Sequence, residues 1–340
     1  MPQVEQSIKV AKRGTAEMMS KCVERGMLLD KNEDGIDGLV KGLFLITEGE
    51  LSAAALVGMG DPAIPALRRV LLEGMPSTVY LPRQRVTRVL GELGAFSVLS
   101  EYLQREKSIA DPELRLAEEA VENTAARELG RSRSEEAFKT LIAVAAKRRL
   151  SGAIESLAQF RRQEAAPLLV AALESDFCRS AAVDGIRLVR DAATPYLIES
   201  IRSPEPSHTA ETQTSLRRRR AALCPIAEQA IDRNLWPSLE FLLHDNDEWL
   251  QSLAAEIAFN LHHLDSAIRI LLKHLTSDDW LLVDEVSRFL GQHLAEIRPL
   301  IDRELSITVV PHDGVLAKRT RLLRWILTFG EKHKGDDLHV

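Results

Sequence analysis

The residues DKNEDGIDGLVK, 30–41, are spaced like the ligands of a calcium-binding loop. Asp30, Asn32 and Asp34 stand at the first, third and fifth places, and Gly35 at the sixth, where such a loop turns sharply. The twelfth place requires a bidentate glutamate and holds Lys41, while the eighth holds Asp37 instead of an aliphatic residue. An ammonium where the strongest ligand belongs opposes the cation. The stretch therefore reads as a turn between two helices, rich in residues that tolerate turn geometry. No metal site and no cofactor is expected.

Arg217, Arg218, Arg219 and Arg220, in SLRRRRAALCPIAEQAI, form the densest run of charge. Four consecutive helical residues sweep about 300° of the helix surface, so they cannot all face solvent. Some must lie near neighbouring helices or line a groove. Guanidinium forks match carboxylates and phosphates bidentately, which makes these four the candidate binding residues. The competing reading is a solvated face whose aliphatic stems pack on apolar neighbours. The polar stretch before them, with Pro204 and Pro206, reads as a loop able to help hold a partner.

Other reactive residue types lack the spacing that chemistry needs. His262, His263 and His274 do not form H-E-x-x-H, and no Gly-rich phosphate loop or G-x-S-x-G elbow stands in a strand-to-helix context. Cys22, Cys178 and Cys224 are scattered without a C-x-x-C, as suits a reducing compartment. The first residues, MPQVEQSIKVAKRG, contain no apolar core of a signal peptide, and no apolar run approaches a membrane span. A cytoplasmic protein with no membrane partner is expected. The net charge of -6 argues against a general nucleic-acid coat, though a local basic groove is compatible with it.

The elements that position these residues are legible from a repeat. A small residue, an apolar residue, two variable places and Leu recur in AIPAL at 63, AFSVL at 95, AFKTL at 137, AAPLL at 165, ATPYL at 193 and AIRIL at 267. LWPSL at 235 and EIRPL at 296 fit with the first place changed. The closing leucines are Leu67, Leu99, Leu141, Leu169, Leu197, Leu239, Leu271 and Leu300. Alanine at a turn lets two helices approach closely, and Leu four places on lies on the same face. Pro65, Pro167, Pro195 and Pro237 suit the first turn of a helix, where an N–H lacks a partner anyway. Gly ends the preceding helix in VLGELG and ALVGMGDPA. Residues 3–29 read as one long amphipathic helix and residues 36–47 as the start of another, the two capping the array. GVLAKRTRLLRWILTFG reads as a last helix stopped by Gly330.

These units resemble HEAT repeats, particularly the short HEAT-like, phycobilisome-lyase-type repeats. LVGMGDPAIPALRRVLLEG carries the likeness, which spans residues 50 to 302. The resemblance implies an all-α fold, an α-solenoid of about eight stacked helix pairs with helical caps at both ends. The expected organisation is an N-terminal cap over 1–50, repeats over 51–202 and a polar loop over 203–216. Repeats then continue over 217–302, and a capping helix with a polar tail closes the chain over 303–340.

A shorter likeness concerns Trp280-Leu281-Leu282-Val283-Asp284, followed by Phe289-Leu290-Gly291. It is similar to the W-x-x-V-D motif of the HEAT-like alkylpurine DNA glycosylases, in which Trp contacts the damaged nucleotide and Asp supports departure of a cationic base. That family also carries W-L-Q-R. Here Trp249-Leu250-Gln251 precedes the motif and is followed by Ser252, so the Arg has no counterpart. Trp249 and Trp280 each follow an acidic cap, and on that ground both are expected to be core residues. Trp280 is expected between helices, and Asp284 exposed or paired with a cation. The function expected is a non-enzymatic scaffold that binds a protein on a concave face. The alternatives are a glycosylase with Trp280 and Asp284 as catalytic residues, or a lyase- or chaperone-like relative.

Overall fold

The computed structural model describes residues 33–207, 210–228, 233–307 and 315–336. They form seventeen α-helices and five short 3-10 helices; the β pairing among them is an isolated bridge between Pro206 and Glu211. Two compact units divide the chain, Met1–Ala193 and Thr194–Val340.

The first unit contains α1 (Glu33–Gly42), α2 (Gly49–Met59), α3 (Ile64–Glu73), α4 (Leu81–Glu92) and α5 (Phe96–Gln104). It continues with α6 (Pro112–Gly130), α7 (Glu135–Lys147), α8 (Ser151–Phe160), α9 (Ala166–Ala172) and α10 (Arg179–Val189). Each helix packs on its sequence neighbour and on the helix two further along, which sorts them into two rows. One row runs α2, α4, α6, α8, α10, and the other α1, α3, α5, α7, α9.

The repeated pattern marks the start of each second helix. Ala63, Ala95, Ala137, Ala165, Ala193 and Ala267 are buried, as are all the closing leucines except Leu300, which is half-buried. Each fully buried leucine contributes about 2 kcal/mol of apolar burial. Just before the alanine the chain turns through positive φ, at Gly60, Gly94, Arg133, Arg161, Arg190 and His262. The two glycines at helix ends are the ones anticipated from VLGELG and ALVGMGDPA. The other four turns place a side chain in a conformation that costs about 1 kcal/mol.

At the opposite ends of the pairs, arginines cap the helix carbonyls left without intrahelical partners. Arg85 donates to Leu43 O at 2.8 Å, Arg83 to Leu71 O at 2.9 Å and Arg105 to Leu72 O at 2.7 Å. Arg148 reaches Leu103 O, and Arg179 donates to Leu173 O at 2.9 Å. Two glutamates one turn apart on α6, Glu118 and Glu122, are buried here. Glu118 accepts from Arg83, from the Tyr102 hydroxyl at 2.7 Å and from Lys107 at 2.8 Å, while Lys107 and Arg148 hold Glu122. Burial alone would raise the Glu118 carboxyl; the Lys107 and Tyr102 hydrogen bonds outweigh it and hold it below the usual range.

The second unit contains α11 (Thr194–Arg202), α12 (Gln213–Ala227), α13 (Glu248–Asn260), α14 (Leu264–His274), α15 (Trp280–Gln292), α16 (Leu294–Ile307) and α17 (Val315–Asp336). Helix α12 packs on α11 and α13, α13 on α14 and α15, and α17 on α15 and α16. The LWPSL unit departs from the pattern. Its second element is 3-10, Arg233–Ser238 and Glu240–His244, with Pro237 inside the first. Trp236, Leu239, Leu242 and Leu243 are nonetheless buried, so apolar anchoring survives the change of helix type.

Two expectations need correction. The segment read as a turn before residue 36 is helical from Glu33, so Gly35 and Asp37 lie within α1 and Lys41 in its last turn. A helix over these residues cannot wrap an ion as the loop would. Asp30 and Asn32, the helix read over 3–29 and Cys22 lie outside the described residues. The last helix does not stop at Gly330 but runs to Asp336, since a single glycine costs a helix only about 1 kcal/mol.

Candidate functional site

The arginine run sits in the first turns of α12, which Thr212 caps by accepting from Ser215 N at 3.2 Å. The four side chains fan out as helical geometry requires. Arg219 is only 2% exposed. Its guanidinium bonds Ile201 O at 2.8 Å and pairs with Glu211 and Asp245. Arg218 pairs with Glu205 at 2.8 Å and reaches Ser203 O, and Arg220 makes a bidentate pair with Asp247. Three of the four guanidiniums thus tie the 203–212 connection and the 245–247 turn to α12. Arg217 is the exposed member.

Trp280 is not between helices. It is 72% exposed, with Leu281 beside it at 52%. The reason is a one-residue difference in capping. Asp247 and Asp279 are both N-caps, each accepting from backbone N–H groups of the first turn. Trp249 is the second residue after its cap, whereas Trp280 is the first after its own. One residue is about 100° of helix rotation, so the two tryptophans do not occupy equivalent positions. The buried counterparts are Leu250 and Leu282, each third after the cap. Trp249 is half-buried and donates its indole N–H to Asp279 at 2.8 Å. That bond holds the Asp279 carboxyl below its ordinary range. Asp284 is exposed, as expected. Trp280 and Asp284 share one face of α15, and the nearby Arg288 is paired with Glu285.

On the neighbouring α13, the Glu256 Oε1 atom is buried with no hydrogen-bond partner. Burial, followed by the Glu285 charge, pushes its carboxyl up to about 7. His274 is buried too. Its Nε2 meets Gln251 Oε1 at 3.0 Å, and burial pushes its pKa down. His263 stacks on Trp236, with ring centroids 5.4 Å apart. Among the described residues no group of His, Cys, Asp and Glu is arranged to hold a metal ion.

A groove of about 1000 Å³ runs along α14 in the second unit. The segment 240–244 walls it on one side and α16 on the other, and Arg319 of α17 also lines it. Arg269, Lys273, Arg303 and Arg319 project here, from three helices. A further concavity of about 760 Å³, formed around Arg219 and the 204–211 loop, shares His244 with it. The groove cations are dispersed over fifty residues of sequence, so no local motif marks them. The Glu118–Glu122 pair did carry a signal, carboxylates one turn apart on the face that also presents Val121 and Ala125.

No helix of the described residues is long and apolar enough to cross a membrane. No protein-family model matches the chain, and comparison with curated proteins gives no match.

Proposed function

We propose that this chain is a cytoplasmic α-solenoid of HEAT-like helix pairs that acts as a non-enzymatic scaffold and holds a protein partner on its concave face. The supporting observation is the groove along α14, bounded by the second elements of successive pairs. In a stack that rotates by a constant amount per pair, one set of corresponding helices lines the inner surface. On this reading the second helices take that role. Arg217, at the exposed edge of the arginine run, extends the recognition surface, while Arg218 to Arg220 keep the adjoining loop in place. The test is chemical cross-linking in native lysate, with the cross-linked residues mapped. Cross-links concentrated at Lys273 and its neighbours support the reading; their confinement to other surfaces would count against it.

A second reading draws support from Trp280 and Asp284, which lie exposed on one helix face, as a HEAT-like alkylpurine glycosylase would require. Against it, the nearby Arg288 is already paired with Glu285, and Ser252 stands where that family carries the Arg of W-L-Q-R. Release of a methylated purine from alkylated duplex DNA decides between the two. We expect none. Release by the wild type that disappears in Asp284→Asn, with folding intact, would establish the enzyme.

A further inference from the structure

The groove along α14 carries charge opposite to that of the chain. Four cations, Arg269, Lys273, Arg303 and Arg319, line it against two carboxylates, Glu240 and Asp265, in a protein of net charge -6. Its base is aliphatic: Leu243, Ile268 and Leu272 are buried, and Ile270 and Leu300 half-buried. The Arg269 guanidinium is exposed and makes no hydrogen bond or ion pair with a described residue, unlike the internally paired Arg219. Among the described residues, the Lys273 ammonium makes a long contact of 3.5 Å to Gln251 Oε1.

Cations around an aliphatic base select a ligand that brings both carboxylates and apolar side chains. Among the described residues no Phe, Tyr or Trp lines the groove and His244 is its one aromatic ring, so single-stranded nucleic acid would find little stacking platform. We infer that the groove takes an acidic, aliphatic segment of a protein partner, with its carboxylates on Arg269 and Lys273 and its apolar residues over Ile270 and Leu300. This rests on the scaffold reading above and names the chemistry of what that scaffold holds. Charge of this kind speeds encounter and rejects basic competitors more than it adds raw affinity.

The experiment uses the full chain and fluorescein-labelled probes read by anisotropy. The probes are a helical peptide with Glu and Leu on alternate faces, the same peptide with Lys for Glu, and a single-stranded oligonucleotide. The acidic peptide should bind, the lysine peptide should not, and affinity should fall as salt rises. Arg269→Glu with Lys273→Glu should weaken binding about tenfold or more and flatten the salt dependence. Both positions are on the surface, and an unchanged melting curve verifies the fold. Equal binding of the two peptides, tighter binding of the oligonucleotide, indifference to the double substitution, or no acidic-peptide binding at millimolar concentration would each overturn the inference. Native cross-links within the groove, combined with failure of the acidic probe, would leave the scaffold standing and refute only its charge preference.

Discussion

Glu256 is a carboxylate whose ionisation the fold resists. Its carboxyl is raised by burial and then by Glu285, with Arg288 acting the other way. A group whose folded pKa lies above its unfolded value stabilises the fold fully below the unfolded pKa and loses that contribution as pH rises through the folded pKa. Stability should therefore decline between about pH 4.5 and 7 on this account. Glu256→Gln should remove the decline, giving a gain of about 1–3 kcal/mol at pH 8 that vanishes near pH 4. Denaturant midpoints across that range measure it, and a gain independent of pH would contradict the assignment. Trp280, by contrast, contributes little burial. Trp280→Ala should change stability by less than about 0.5 kcal/mol, while removing the most red-shifted part of the tryptophan emission. A large loss of stability would mean that the residue packs after all.

At the scale of elements, turns and helix ends are where particular side chains decide stability. Arg161 ends α8 in a left-handed conformation, with φ 53°. Glycine has no Cβ penalty there, so Arg161→Gly should be neutral to stabilising, by up to about 1 kcal/mol. A clear loss in thermal unfolding would show that the side chain holds the turn. Gly152 shows the opposite requirement. An added Cβ would stand 2.2 Å from Asn123 O on α6, so Gly152→Ala should push α6 and α8 apart and destabilise. The arginine network at α12 has the largest stake. Arg219→Ala would leave Glu211 and Asp245 largely buried and unpaired, which should cost about 3–5 kcal/mol. Arg217→Ala, at the exposed position, should cost much less. Similar losses for the two would remove the distinction between a structural and a surface-facing arginine.

For the whole molecule, helix is the regular structure throughout the described residues. Far-ultraviolet circular dichroism should show a helical spectrum without appreciable sheet. The stacked-pair proposal adds a sharper expectation, because a solenoid scatters as an elongated or curved particle. A scattering profile of a compact sphere would leave the helix pairs intact and reject their continuous stacking.

The sequence by itself determined the helix class, the pairing and much of the core. Period and spacing act locally, and they specify which face of a helix is apolar before any partner is known. Ala63, Ala165 and Leu169 were legible for this reason, as were the glycine turns at Gly60 and Gly94. So was the consequence that four successive arginines must point in different directions. Tertiary structure decided what depends on contacts across the chain. It turned Trp280 outward, because one residue of capping register rotates a side chain by about 100°. It committed Arg219 to Glu211 and Asp245, partners on segments no local pattern connects to it. It also gathered Arg269, Lys273, Arg303 and Arg319 into one groove. Each of these cations is ordinary in its own helix, and their convergence exists only once the helices are packed.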